Sequence, residues 1–326
     1  MTGPLVRRPR GLGPRRPGAG RRASLAVPLA ALIAALLTAT GASGLLSGCA
    51  TAGRARIAAQ WYELGDAWLD KGDWKKAGRA YSHALQLEPG MSAASFNMAR
   101  ALTEAGDYRA ALRMLDALSA KDPGNLRVLS ARAYVFYKEG DATAALKAYD
   151  AVVALDPYAP DAVYNSALLR FAAGQAKRAA ADLRRLLAYK PDDTQSLLLL
   201  ARIEESLGDD AAAVDAYEKL KLLGKADAFA LEHLGLLYEK GRRYADAMAA
   251  LDAATKADPK RSGAWFALAR LRLVVADDGP GGLDALKRAL DAGFSDKKAA
   301  EALMAEPGLP ELEKIAALLK GKGLIP

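Results

Sequence analysis

Alanine stands at Ala77, Ala111, Ala145, Ala179, Ala213 and Ala247, once every 34 residues. A second series in step with it admits only glycine or alanine: Gly65, Ala99, Ala133, Ala167, Ala201, Gly235 and Ala269. A third series is Gly72, Gly106, Gly140, Gly174 and Gly208. A fourth is Pro89, Pro123, Pro157, Pro191 and Pro259, with Lys225 in the one slot that lacks proline. Repetition at a fixed period of this length is the mark of stacked helical units, each of which buries its apolar face only against its neighbours. It predicts a long surface that holds other proteins in place of a catalytic pocket.

With Ala58 as position 1, six units follow without a gap: 58–91, 92–125, 126–159, 160–193, 194–227 and 228–261. Apolar residues at positions 4, 7, 8 and 11, then at 20, 24 and 27, form two stripes of helical period. In the first unit these are Trp61, Leu64, Gly65 and Trp68, then Ala77, Tyr81 and Ala84. Glycine at position 15 is a helix stop. The aspartate that follows it in four units (Asp73, Asp107, Asp141, Asp209) is an N-cap for the next helix. Proline at position 32 ends the second helix of each unit. Small residues at 8 and 20 let the paired helices approach where a larger side chain would overpack the contact.

This pattern resembles the tetratricopeptide repeat (TPR) family, in phase over about two thirds of the chain. The resemblance implies an all-α fold, a right-handed α-solenoid of antiparallel helix pairs. A seventh, degenerate pair is expected over 262–292, with Trp265, Leu268 and Ala269 in phase. Residues 293–326 then supply C-terminal capping helices, at about Asp296–Ala305 and Pro310–Leu319.

The chain is basic, with 46 Lys and Arg against 38 Asp and Glu, but the excess is local. Residues 1–48 hold seven arginines and no acid, which leaves 39 bases against 38 acids in the body. A nucleic-acid binder concentrates cations on its folded part, so no nucleic-acid partner is expected. The leader reads as a basic stretch over 1–24 and an apolar run over 25–45, a secretory pattern. Its end, Leu46-Ser47-Gly48-Cys49, resembles the bacterial lipobox. That resemblance implies cleavage before Cys49 and lipidation of its thiol. Cys49 is the sole cysteine in the chain. The alternatives are a free buried thiol and an uncleaved membrane helix over Leu25–Leu46, but Pro28, Gly41 and Gly44 interrupt the run. Either anchor places the body outside the cytoplasm, because the arginines stay inside. With Ala50 and no aspartate after Cys49, the lipoprotein reading leans to the outer membrane, and residues 49–57 form a short tether.

Catalytic chemistry has little to work with. His83 and His233 lie in distant repeats with no cysteine or histidine at ligand spacing, so no metal is expected. The lone cysteine leaves none to pair with a histidine as a nucleophile. No glycine-rich phosphate loop occurs. The pairs Asp192-Asp193, Asp209-Asp210 and Asp277-Asp278 read as N-caps at turns. No cofactor, no small-molecule substrate and no enzymatic role are therefore expected.

The resemblance also implies where binding falls. In TPR proteins the first helix of each repeat lines a concave surface, chiefly through positions 2, 5, 9, 12 and 13. Here these give Phe96, Arg100, Arg127, Tyr134, Tyr137, Tyr164 and Phe171. Position 6 adds Asn97 and Asn165, which in the family often contacts peptide backbone. The rings serve either a ligand or the packing of adjacent first helices. A carboxylate clamp is not expected, since Tyr62, Asp66 and Ala131 stand where its pattern wants other residues. Arg132 and Ser166, at the normally apolar position 7, break the core rule beside the aromatic patch. The resulting expectation is a lipid-anchored periplasmic adaptor for protein partners. The alternative is a self-associating scaffold whose groove takes its own terminus or another copy.

Overall fold

The structure, a computed structural model, describes residues 7–8 and 47–326, the side chains of 47–52 excepted. The leader over 1–48, apart from residues 7, 8, 47 and 48, lies outside the described residues, and so does the side chain of Cys49. Contacts divide the chain into two units, the boundary falling between Leu169 and Arg170.

The first unit contains α1 (Ser47–Asp70), α2 (Trp74–Leu87), α3 (Ser92–Ala105), α4 (Tyr108–Lys121), α5 (Leu126–Glu139) and α6 (Ala142–Leu155). It also contains α7 (Pro160–Ala172) as far as Leu169. The second holds α8 (Ala176–Tyr189), α9 (Thr194–Leu207), α10 (Asp210–Leu222), α11 (Ala228–Lys240), α12 (Tyr244–Ala257), α13 (Ser262–Val274) and α14 (Gly279–Asp291). Its last helices are α15 (Lys297–Met304) and α16 (Leu312–Gly321). No strand occurs among the described residues, and the fold is an all-α solenoid of helix pairs.

The repeat dictates each pair. In the second and third units the first helix fills positions 1–14 and the second 17–30, and two residues turn the chain. Gly106 and Gly140 close α3 and α5 in the left-handed region at φ 87° and 94°, where a side chain is disfavoured. Asp107 and Asp141 then accept hydrogen bonds from the backbone N–H three residues on. Asp193, Asp209 and Asp278 cap α9, α10 and α14 in the same way.

Position 24 sets the core. Tyr81, Leu115, Tyr149, Leu183, Tyr217 and Leu251 occupy it in succession, and each is fully buried. Burial of one such side chain contributes about 1.5–3 kcal/mol. Position 8 must stay small because it faces position 24. A Cβ on Gly65 would stand 2.5 Å from the Tyr81 ring, and one on Gly235 2.7 Å from Leu251. In the seventh pair Gly282 takes the same close approach, 2.4 Å from Leu273.

Residues 49–57, read as a tether, are helical and continuous with the first repeat helix as part of α1. At the other end, Leu303, Leu309, Ile315, Leu319 and Leu324 close over Leu286 and Leu290 of α14 in one apolar cluster. Residues of α15 and α16 thus cover the last repeat face.

Candidate functional site

In the first unit, polar and aromatic side chains from α3, α5 and α7 meet on the face made by first helices. Asp161, Tyr164 and Asn165 project from α7, Tyr134, Tyr137 and Lys138 from α5, and Arg100 and Glu104 from α3. An i, i+3, i+4 spacing puts each set on one side of its helix.

The chain's own Arg7 and Arg8 lie against this face. The Arg7 N–H donates to Asn165 Oδ1 at 2.6 Å, and Asn165 Nδ2 donates to the Arg7 carbonyl at 2.9 Å. The Arg7 guanidinium stacks 4.2 Å from the Tyr164 ring centre and pairs with Asp161 at 3.6 Å. Arg8 turns to Glu104, its Nε 3.3 Å from Oε1, with the guanidinium 5.7 Å from the Trp74 ring centre. With Leu69, Trp74, Arg100, Glu104 and Tyr134 it lines a cavity of about 430 Å³.

Glu104 is held from two further sides. The Tyr134 hydroxyl donates to it at 2.9 Å and the Lys138 ammonium at 3.3 Å. Burial, then the bond to Glu104, pushes the Tyr134 phenol up, so it remains a donor throughout the physiological range.

Two asparagines at the same repeat position have different fates. Asn97 is buried and donates to the Tyr62 hydroxyl at 3.0 Å and to Asp66 at 2.9 Å, while its oxygen accepts from Arg100 at 3.3 Å. It fastens adjacent repeats and does not reach a backbone ligand. Burial, then the Asp66 charge, pushes the Tyr62 phenol up to about 12. In the preceding repeat of Asn165, positions 5 and 9 hold Ser130 and Tyr134, and Tyr134 is taken by Glu104. Asn165 instead reaches Arg7.

Of the other residues singled out in the sequence, Phe96 is a correction. It is fully buried among Ala99, Leu115, Val128 and Val135 and belongs to the core between α3, α4 and α5. Position 5 sits on the border of core and face, and a ring without a hydroxyl turns wholly inward. Tyr137 is half-buried, 6.3 Å from Tyr134. Arg127 is exposed and lines a small hollow with Pro160 and Asp161. Phe171 is half-buried and belongs to the second unit, so it is not part of this site. Arg132 pairs with Asp116 at 2.9 Å and reaches solvent, and the Ser166 hydroxyl donates to the Val163 carbonyl at 3.2 Å. Sequence reasoning passed over Glu104 and Asp161. The available signal was an acid at positions 13 and 2 of a face otherwise aromatic.

In the second unit, Glu205 accepts from Tyr217 at 3.2 Å and contacts His233 at 2.9 Å, while Glu232 pairs with Arg261. These groups tie repeats together. Among the described residues no cluster of His, Cys, Asp and Glu is placed to hold a metal ion, and no helix is long and apolar enough to cross a membrane.

Residues 54–162 match the family model described as the cytochrome c-type biogenesis protein H TPR domain. Residues 164–230 and 233–296 match the tetratricopeptide repeat model. The chain belongs to the tetratricopeptide repeat family. Among solved structures this TPR protein is similar to YrrB, described as a TPR protein with an unusual peptide-binding site. Identity there is 17% and the TM-score 0.52, over 58% of this chain and 96% of that one. It is similar to Pseudomonas aeruginosa pilF at 17% identity and TM-score 0.54, over 65% of this chain and 96% of the other. The Cut9–Hcn1 structure of the APC/C matches at 17% identity and TM-score 0.50, over 77% and 52%. At these identities the likeness concerns the fold. No curated protein sequence matches the chain. The TPR repeats make it a scaffold for protein–protein interaction.

Proposed function

We propose that this TPR protein is a lipid-anchored, non-catalytic adaptor facing the periplasm of a bacterial envelope, which holds an extended segment of a partner protein against the first helices of its first unit. The pair of hydrogen bonds between Asn165 and Arg7 supports this most directly. In an extended strand the N–H and C=O of one residue point the same way, so a single carboxamide reads both without reference to the side chain. YrrB is described as having a peptide-binding site, and we extend peptide binding to this chain. The anchor rests on Leu46-Ser47-Gly48-Cys49 and on Cys49 being the sole cysteine. With no aspartate after Cys49, the outer membrane is the favoured location. Assembly of an envelope complex is the role we propose. Cytochrome c-type biogenesis, the process named by the family matched over 54–162, is the first case to test.

Metabolic labelling with an alkyne palmitate, combined with photocrosslinking from position 137 in cells, tests both parts. Wild type is expected to carry label that Cys49→Ser lacks, and to yield a crosslinked partner that Asn165→Ala, still helical and cooperatively folding, does not. An unlabelled wild type overturns the anchor. A partner retained by Asn165→Ala moves binding off this face.

Because the segment on the face belongs to the same chain, a second reading is self-association, with the arginines of one copy seated on another. A mass in light scattering that rises with concentration and falls in Arg7→Ser/Arg8→Ser would favour it.

A further inference from the structure

The geometry points to a ligand class for this groove: an extended segment carrying two consecutive basic residues, the first of them arginine. The inference rests on the reading that the face takes an extended segment, and adds which segment.

Three features separate the two subsites. Arg7 and Arg8 reach acids on different helices, Asp161 on α7 and Glu104 on α3, which suits an extended segment, whose successive side chains point to opposite sides. The first subsite is enclosed. The Arg7 side chain is 7% exposed, its guanidinium over the Tyr164 ring and its charge against Asp161. A buried cation needs both a partner and a surface to lie on, and a planar guanidinium meets an aromatic face as an ammonium does not. The second subsite is open. The Arg8 side chain is 57% exposed and shares Glu104 with Lys138. Lysine at that place is accommodated, because the contact is a single charge pair beside the Trp74 ring. Arg100 lines the same cavity and Lys138 already pairs with Glu104, so a third cation after the pair is disfavoured there.

The sole occupant among the described residues is the chain's own Arg7-Arg8. On the lipoprotein reading it leaves with the leader when the chain is cut before Cys49, and a partner segment of the same chemistry takes its place.

The test uses the full chain in detergent with Arg7→Ser/Arg8→Ser, which removes the internal occupant. The probes are fluorescent peptides copying residues 3–13, in three versions at the arginine pair: Arg-Arg, Lys-Lys and Ser-Ser. Anisotropy is expected to show Arg-Arg binding at least about tenfold tighter than Ser-Ser, with Lys-Lys between them. Adding Tyr164→Leu is expected to erase the Arg-Arg over Lys-Lys preference, and Asp161→Asn or Glu104→Gln to weaken both basic peptides about threefold. Equal binding of Arg-Arg and Ser-Ser overturns the dibasic ligand and leaves the extended-segment reading standing. Failure of every peptide to bind a chain whose helicity and melting are intact overturns both. Binding of Arg-Arg that survives Asp161→Asn/Glu104→Gln unchanged places the cation preference elsewhere and overturns this site.

Discussion

Gly65 and Gly78 are both helical, yet substitution acts on them in opposite directions. A methyl on Gly65 would meet the Tyr81 ring at 2.5 Å, and the fully buried ring has no room to retreat. Gly65→Ala is expected to destabilise the protein by about 1–3 kcal/mol in urea denaturation, despite alanine's better helix propensity. A methyl on Gly78 would have nothing within 4 Å. Gly78→Ala is expected to stabilise by about 0.5–1 kcal/mol, because the freedom glycine loses in a helix is the only term left. Equal effects of the two would refute the close-approach account of position 8. The same residue scale separates Asn97 from Asn165. One is saturated by Tyr62, Asp66 and Arg100, and the other reaches a backbone.

At the scale of the element, helix starts show how far the repeat has drifted. Asp73, Asp107, Asp141 and Asp209 all cap through their carboxylates, but Gln175 at the same position makes no side-chain cap to α8. Gln175 is exposed, so an aspartate there meets no packing constraint. Gln175→Asp is expected to raise stability by about 1 kcal/mol, read as a higher urea midpoint at unchanged slope. The helices themselves were legible in the sequence, since glycine at 15, aspartate at 16 and proline at 32 bound them by local chemistry. That 49–57 is part of α1 was not, because Gly53 interrupts the stretch and it lies ahead of the repeat pattern that marks the other helices.

At the scale of the whole molecule, a stack of repeats needs a covered end. Residues of α15 and α16 seal Leu286, Leu290 and Phe266 from water. Removing 293–326 is expected to lower the melting temperature of the second unit by at least about 5 °C and to promote association, through loss of several buried leucine contacts. Calorimetry with light scattering reads both effects, and a truncated chain that stays monomeric with unchanged melting would show the cap to be dispensable. The leader illustrates the same scale differently. As sequence, Arg7 and Arg8 read only as the basic start of a signal, whereas in the fold they are the ligand-like contents of a groove.

By itself the sequence determined the period, the helix pairs, their caps and stops, and the small residues where helices touch, because all of these follow from local sterics and from one repeated pattern of burial. It also placed Tyr164 and Asn165 on the face made by first helices. Tertiary structure alone decided that Phe96 turns into the core, that Asn97 is spent on neighbouring repeats, and that Glu104 and Asp161 converge on two arginines. Those outcomes depend on what the preceding repeat presents at positions 5 and 9, and a repeat pattern fixes the register of a residue without fixing its partners.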